Sequence, residues 1–229
     1  MQLSLRLSAI ASLVPFQAAV CDVGTDHGYL AIELIKSGRA KRVIATDIGE
    51  KPLANARKNI ELSGVSGIEL RLCDGLSGVE PYETDTVIIA GMGGEVISGI
   101  IERGAVVTKR EGVKLILQPT TSPEFLRRFL CDNGFEILFE IPIFENGKVY
   151  SAMSVSFSGN RSKAEEYFYY VGRVTPETEA GFLYIKKQLG RCFECMNSLE
   201  GIAAKQEDYV HYTKAYMGIR AYLNSFKGE

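Results

Sequence analysis

The sequence predicts an α/β protein: a doubly wound, Rossmann-like sheet with a terminal antiparallel strand, followed by a C-terminal α-helical domain shaped as a coiled-coil-like hairpin. Three observations carry that prediction. Short apolar runs alternate with amphipathic stretches five times between residues 18 and 134, the pattern of a parallel sheet with crossover helices. Asn146-Gly147 then joins two long apolar-rich runs, and Asn-Gly is a favoured hairpin turn. Beyond about residue 160 no run reads as a strand.

The elements follow in order. Leu3, Leu7, Ile10 and Val14 fall at helical spacing, and Pro15 ends that helix. "AAVCDVG" at 18–24 is a short buried strand, and "YLAIELIKSG" at 29–38 is a helix closed by Gly38. "RVIATD" at 42–47 is the second strand. "KPLANARKNIELSG" at 51–64 is a helix with Pro52 in its first turn and Gly64 at its end. "IELRLCDG" at 68–75 and "TVIIAG" at 86–91 are the third and fourth strands, and "EVISGIIERGAVV" at 95–107 reads as one helix. "VKLILQP" at 113–119 is the fifth strand, and "SPEFLRRFLCDNG" at 122–134 a helix. The hairpin occupies 135–157. "AEEYFYYVG", "PETEAGFLYIKKQLGRCFECMNSLEG" and "KQEDYVHYTKAYMGIRAYLNSF" are three helices, the last two long enough to pair. Domains are therefore expected at 1–159 and 160–229.

Composition excludes several classes. Hydrophobic residues at 46% and charged residues at 24% are ordinary globular values. A net charge of −2 gives no global basic field, so any nucleic-acid contact needs a local patch. Candidate patches are Arg39-Lys41-Arg42, Lys109-Arg110, Arg127-Arg128 and Lys186-Lys187-Arg191; each also reads as an ordinary solvated face. Cys192-x-x-Cys195 lacks the second pair that a zinc site requires, and its spacing suits helix packing, so no metal is expected. Five scattered cysteines suit a reducing cytoplasm. The N-terminal stretch imitates an export signal, but Val20 before Cys21 is too large for typical cleavage there, and cutting would destroy the first strand. No apolar run reaches the ~18–20 residues of a membrane span.

In an open α/β sheet, ligands bind beyond the carboxyl ends of the strands. Four such ends carry unusual residues. The first is Asp22-Val23-Gly24-Thr25-Asp26-His27-Gly28. A nicotinamide fingerprint would have three glycines there to seat a pyrophosphate. Asp26 replaces the middle one, and Asp22 precedes the turn. These carboxylates would repel pyrophosphate and suit a ligand with a positive centre, such as S-adenosylmethionine; helix capping is the simpler role for Asp26. The second end is Asp47, with Ile48 after it, placed 19 residues beyond Gly28, where an acid binds ribose hydroxyls. The third is Asp74-Gly75, suited to an adenine amino group. The fourth is Ala90-Gly91-Met92-Gly93-Gly94, where glycines imply close backbone approach or only a tight turn. Eight of eleven tyrosines lie beyond residue 160: Tyr167, Tyr169, Tyr170, Tyr184, Tyr209, Tyr212, Tyr216 and Tyr222. They read either as packing along a helical seam or as an RNA-docking face.

The whole pattern resembles the class I S-adenosylmethionine-dependent methyltransferases, and within them the bacterial tRNA (adenine-22-N1)-methyltransferase family. The segments that carry the resemblance are "LSLRL" (3–7), "DVGTDHGYL" (22–30), "DGL" (74–76), "IAGMGGEVI" (89–97), "LILQP" (115–119), "LRRFL" (126–130) and "GKVY" (147–150). Departures from the family pattern are Ala31, Thr120, Phe129 and Ser151, where the family usually has Pro, Asn, Trp and Glu. The helical appendage matches in kind more than in sequence.

The resemblance implies methyl transfer to N1 of an adenine in tRNA, with tRNA as partner, no membrane and a monomeric state. Adenine N1 offers an in-plane lone pair, so no strong base is needed before attack; alignment is the main task. Asp26 is the candidate catalytic carboxylate for the charge that develops on the base. His27 orients it or contacts the base. Arg6 covers the cofactor site, contacts an RNA phosphate, or is a surface charge. Tyr29 stacks on the base or packs its helix, and Gln118 and Pro119 line the base pocket. Cofactor contacts fall to Asp22, Gly24, Asp26, Gly28, Asp47, Ile48, Asp74, Gly75, Ala90, Gly91 and Met92. The alternatives are methylation of another RNA or a small molecule, or a non-catalytic cofactor-binding RNA adaptor.

Overall fold

In the computed structural model, which describes residues 3–226, seven strands form one sheet in the order β3-β2-β1-β4-β5-β7-β6. The strands are β1 Ala18–Val23, β2 Ala40–Asp47, β3 Ile68–Leu72, β4 Thr86–Gly93, β5 Lys114–Thr121, β6 Phe135–Glu145 and β7 Lys148–Phe157. β1 to β5 pair in parallel, and β7 lies antiparallel between β5 and β6. The last strand in the chain is therefore second from the sheet edge in space. The outer ends of the two expected domains, residues 1–2 and 227–229, lie outside the described residues.

The central strands are apolar along their length because helices cover both sheet faces. Cys21, Val23, Val87, Ile89, Leu115 and Leu117 pack on one face against α4 (Gly94–Arg103) and α6 (Pro123–Asp132). Val20, Val43, Ile88 and Ile116 pack on the other against α1 (Leu5–Leu13) and α2 (Tyr29–Lys36). α3 (Glu50–Ser63) follows β2. The helix expected over 95–107 divides at Gly104, where an added Cβ would lie 2.5 Å from the Leu76 side chain, and α5 (Ala105–Thr108) continues separately. The fourth strand runs two residues further than its apolar run, through Gly93, with register shifts against β5.

The C-terminal helices are α7 (Glu166–Val171), α8 (Glu179–Leu199) and α9 (Gln206–Ser225), with a 3-10 turn at Ala203–Lys205. Seven of the eight tyrosines beyond residue 160 are buried or packed against the helical core, so seam packing is their observed role; Cys192 is buried in the same core. One ionic centre ties these helices to the sheet. Arg127 is fully buried, which corrects its reading as part of a basic surface patch, and it pairs with Glu140 at 2.8 and 3.2 Å. Its Nη1 donates to the carbonyls of Tyr169 and Tyr170, and Nη2 shares its second N–H between Ser151 Oγ and Tyr184 Oη. Ser151, one of the departures from the family pattern, thus completes a buried network.

Candidate active site

The β1–α2 turn is built around Asp22. Its side chain is buried and accepts a hydrogen bond from Thr25 Oγ1 at 2.7 Å. Burial pushes the carboxyl up to about 6, the nearby Asp47 charge adds to this, and the Thr25 bond opposes it. Gly24 has φ of +75°, and a Cβ there would meet the Met92 methyl at 2.3 Å. The β1 and β4 ends are therefore in close contact. Asp26 takes φ of +51°, the left-handed region that glycine adopts freely and Asp tolerates. Its backbone N–H donates to Asp47 Oδ2 at 3.3 Å, which leaves the carboxylate projecting to solvent. His27 Nε2 stands 3.4 Å from that carboxylate, and the His27 ring stacks on Tyr29 with centroids 5.3 Å apart. Gly28, at φ of +70°, begins α2, and a Cβ there would crowd Ala56 of α3 at 3.2 Å.

At the end of β2, Asp47 Oδ1 accepts the Gly49 N–H at 2.9 Å, so this acid braces two turns at once. Ile48 is exposed beside it. Thr46 Oγ1 donates to the Gly75 carbonyl at 3.0 Å, which ties the β2 and β3 ends together. Asp74 pairs with Arg103 of α4 at 3.3 Å on the surface.

The β4 end is held from below. Gln118 is fully buried, and its Oε1 accepts the Gly91 N–H at 3.2 Å and an Arg6 N–H at 2.9 Å. The Arg6 backbone N–H donates to Glu145 at 3.0 Å, and its guanidinium lies 3.7 Å from the same carboxylate. Thr120 Oγ1 donates to the Met92 carbonyl at 3.1 Å. Gly94 has no room for a side chain, since a Cβ would fall 2.2 Å from the Ser122 carbonyl oxygen.

Two adjoining cavities result. One of about 290 Å³ lies between the β1, β2, β3 and β4 ends and is lined by Asp47, Ile48, Asp74, Gly75 and Met92, among others. The other, of about 270 Å³, is lined by Arg6, Asp22, Thr25, Asp26, His27 and Tyr29, among others. Gly24, Ala90 and Gly91 line both. Thirteen of the expected site residues meet at this pair. Gly28 sets the turn from behind, Gln118 supports the floor, and Pro119 opens onto a separate cavity. Thr25, Glu145 and Arg103 belong to the site and are not among the residues expected from the sequence. Thr25 sits inside the quoted turn, whereas Glu145 ends a strand remote in sequence and carries no local signal.

The donor set fits S-adenosylmethionine. Asp47 retains lone pairs for ribose hydroxyls beside the exposed Ile48 surface. Asp22 offers a carboxylate, accompanied by Thr25, to an ammonium group. Among the described residues there is no cluster of metal-ligating side chains.

Comparison with known proteins identifies the fold and the family. Residues 3–153 match a methyltransferase domain family. The tRNA (adenine(22)-N(1))-methyltransferase of Bacillus subtilis (strain 168) is 35% identical over 166 residues, covering 72% of this chain and 68% of that protein. The crystal structure of the B. subtilis M1A22 tRNA methyltransferase TrmK superposes with a TM-score of 0.85 at 25% identity, covering 97% of this chain and 99% of that one. Streptococcus pneumoniae Sp1610 in complex with S-adenosyl-L-methionine gives a TM-score of 0.79 at 31% identity, covering 97% and 100%.

Proposed function

This chain belongs to the tRNA (adenine-22-N1)-methyltransferase family of class I S-adenosylmethionine-dependent methyltransferases, and from that premise we propose that it methylates N1 of adenine 22 in tRNA. The observation that carries the reading is the pair of adjoining cavities, one suited to an adenosyl group and one opening on Asp26 and Tyr29.

The cofactor supplies an electrophilic methyl group on a cationic sulfur. Asp47 and Ile48 hold its ribose, Asp74 and Gly75 flank its adenine, and Asp22 and Thr25 meet its ammonium end. Gly24, Ala90, Gly91 and Met92 bring backbone close to it. In the second cavity Tyr29 stacks on the flipped substrate base, and Arg6, fixed by Glu145 and Gln118, orients it. The adenine N1 lone pair forms the new N–C bond while the C–S bond breaks and its electron pair stays on sulfur. The methylated ring is cationic and its N6 group acidified. Asp26 stabilises that charge and accepts an N6 proton, with the His27 ring 3.4 Å from its carboxylate. Asp26 stands where glycine would be easier because both cofactor and product base are cationic.

We assign residues 1–159 to catalysis and 160–229 to tRNA contact, in a monomeric cytoplasmic enzyme. No helix among the described residues is long and apolar enough to cross a membrane. The arginines of the candidate basic patches are largely committed: Arg39 to Ser12 and Val14 carbonyls, Arg128 to Glu166, Arg191 to Glu124. Lys41, Lys109, Lys186 and Lys187 remain exposed for phosphate contact.

The test is incubation with S-adenosylmethionine and unmodified tRNA transcript, then nucleoside mass spectrometry. We expect 1-methyladenosine at position 22. In Asp26→Ala, turnover falls about 100-fold or more, well beyond the accompanying loss of cofactor affinity. Wild-type protein that binds cofactor and leaves every tRNA unmethylated overturns the reading.

A further inference from the structure

A third cavity, of about 310 Å³, lies between the turn from β5 into α6, the start of β7, and α8. It takes no part in the cofactor or methyl-transfer contacts described above. Its size is at the lower end of ligand pockets. Pro119, Pro123, Val149 and Tyr150 give it apolar and aromatic walls, and Gln188 of α8 lines it. Gln188 is only 4% exposed, and its Oε1 is buried without a hydrogen-bond partner among the described residues. A buried amide oxygen left unpaired is costly, and a rotation of the Gln188 amide toward the cavity would let a ligand donor relieve it.

The cavity adjoins the methyl-transfer cleft. Pro119 directly follows Gln118, which holds Arg6 and Gly91. Tyr150 lines this cavity, and its ring centroid lies 5.9 Å from the Arg6 guanidinium that lines the cleft. Arg191 on the wall is already neutralised by Glu124, at 2.7 and 2.9 Å. The walls therefore suit a flat, largely neutral group better than a phosphate, with Lys187 at the rim for a backbone charge.

We infer that this cavity receives a second unpaired nucleobase of the RNA substrate, flanking the methylated adenine, stacked at Tyr150 and read along its edge by Gln188. Unpaired bases are recognised in this way, by stacking plus edge hydrogen bonds. The inference rests on the tRNA reading above.

The experiment measures KM for tRNA, kcat and cofactor Kd in wild type and Gln188→Leu, using transcripts with single abasic nucleotides on either side of the target. Gln188→Leu raises the tRNA KM about 5–10-fold, the loss of one hydrogen bond, and one abasic position raises it at least as much. Together they raise it no further, and cofactor Kd is unchanged. A tRNA KM in Gln188→Leu equal to wild type overturns the inference, as do effects that simply add at every position. A second measurement needs no variant: 4-thiouridine placed beside the target in wild-type complexes cross-links to Tyr150 or α8. Cross-links confined to His27 and Tyr29 overturn the inference. Absence of methylation by wild type removes the tRNA premise instead, and is distinguished by the unmodified transcript alone.

Discussion

Replacing Asp22 with Asn should make the protein more stable and a poorer methyltransferase. Burial raises this carboxyl from 3.8 to about 6. A carboxyl that binds its proton more tightly when folded stabilises the protein fully below pH ~4, and that contribution is lost as pH rises through about 6. At pH ~7.5 the buried charge therefore costs about 3 kcal/mol, from roughly two pH units at ~1.4 kcal/mol each. The substituted amide keeps an oxygen to accept the Thr25 hydrogen bond and removes the charge. Allowing for burial of the new amide N–H groups, about 2 kcal/mol remains, which is ~4–8 °C in Tm for a chain of this length. Thermal unfolding without cofactor at about pH 7.5 and about pH 5 reads the effect. The Asp22→Asn variant should melt higher at the upper pH, and the gain should shrink at the lower, where wild-type Asp22 is largely neutral. Calorimetric titration should show S-adenosylmethionine binding weakened about 10–100-fold, the loss of a charge-assisted bond. Equal melting at the upper pH together with unchanged cofactor affinity would refute the picture of a strained carboxylate kept for a cation.

Two further substitutions test the frame around the site. Arg127→Met leaves Glu140 charged and unpaired in the interior and should cost about 3–5 kcal/mol in denaturant unfolding; adding Glu140→Gln should restore at least half, since the amide oxygen still accepts the Arg173 N–H. Gly94→Ala forces a Cβ against the Ser122 backbone, so the start of α4 and the turn from β5 into α6 must separate. We expect a loss of about 1–3 kcal/mol and a fall in kcat larger than the change in cofactor Kd, read by unfolding and single-turnover kinetics.

The sheet is legible in the sequence because buried parallel strands leave continuous apolar runs, and the hairpin because Asn146-Gly147 is a local turn signal. The insertion of β7 beside β5 is not, since pairing between distant strands has no local signature. Acids at the strand ends are readable for the same reason as the strands: both follow from the position of the run. Arg127 misleads because an Arg-Arg pair looks alike on either side of a helix. Its partner is hidden by a bulge in β6, where the register shifts between Ile137 and Phe139. The shift turns Glu140 inward and leaves Phe139 exposed. Alternation alone would assign them the other way.

The place of β7 also bears on how the chain is made. β5, which carries Gln118, has β4 on one side and waits for β7 on the other. A nascent chain that has emerged only to residue 121 presents β5 as an open apolar edge until residues 148–157 follow. The charge of Arg127 meets Glu140 early, but its last partner, Tyr184, arrives 57 residues after it. Ribosomal synthesis thus delivers the β1–α2 turn early and β7, the strand that covers β5, last of the strands, so a prematurely released chain is prone to edge-to-edge aggregation.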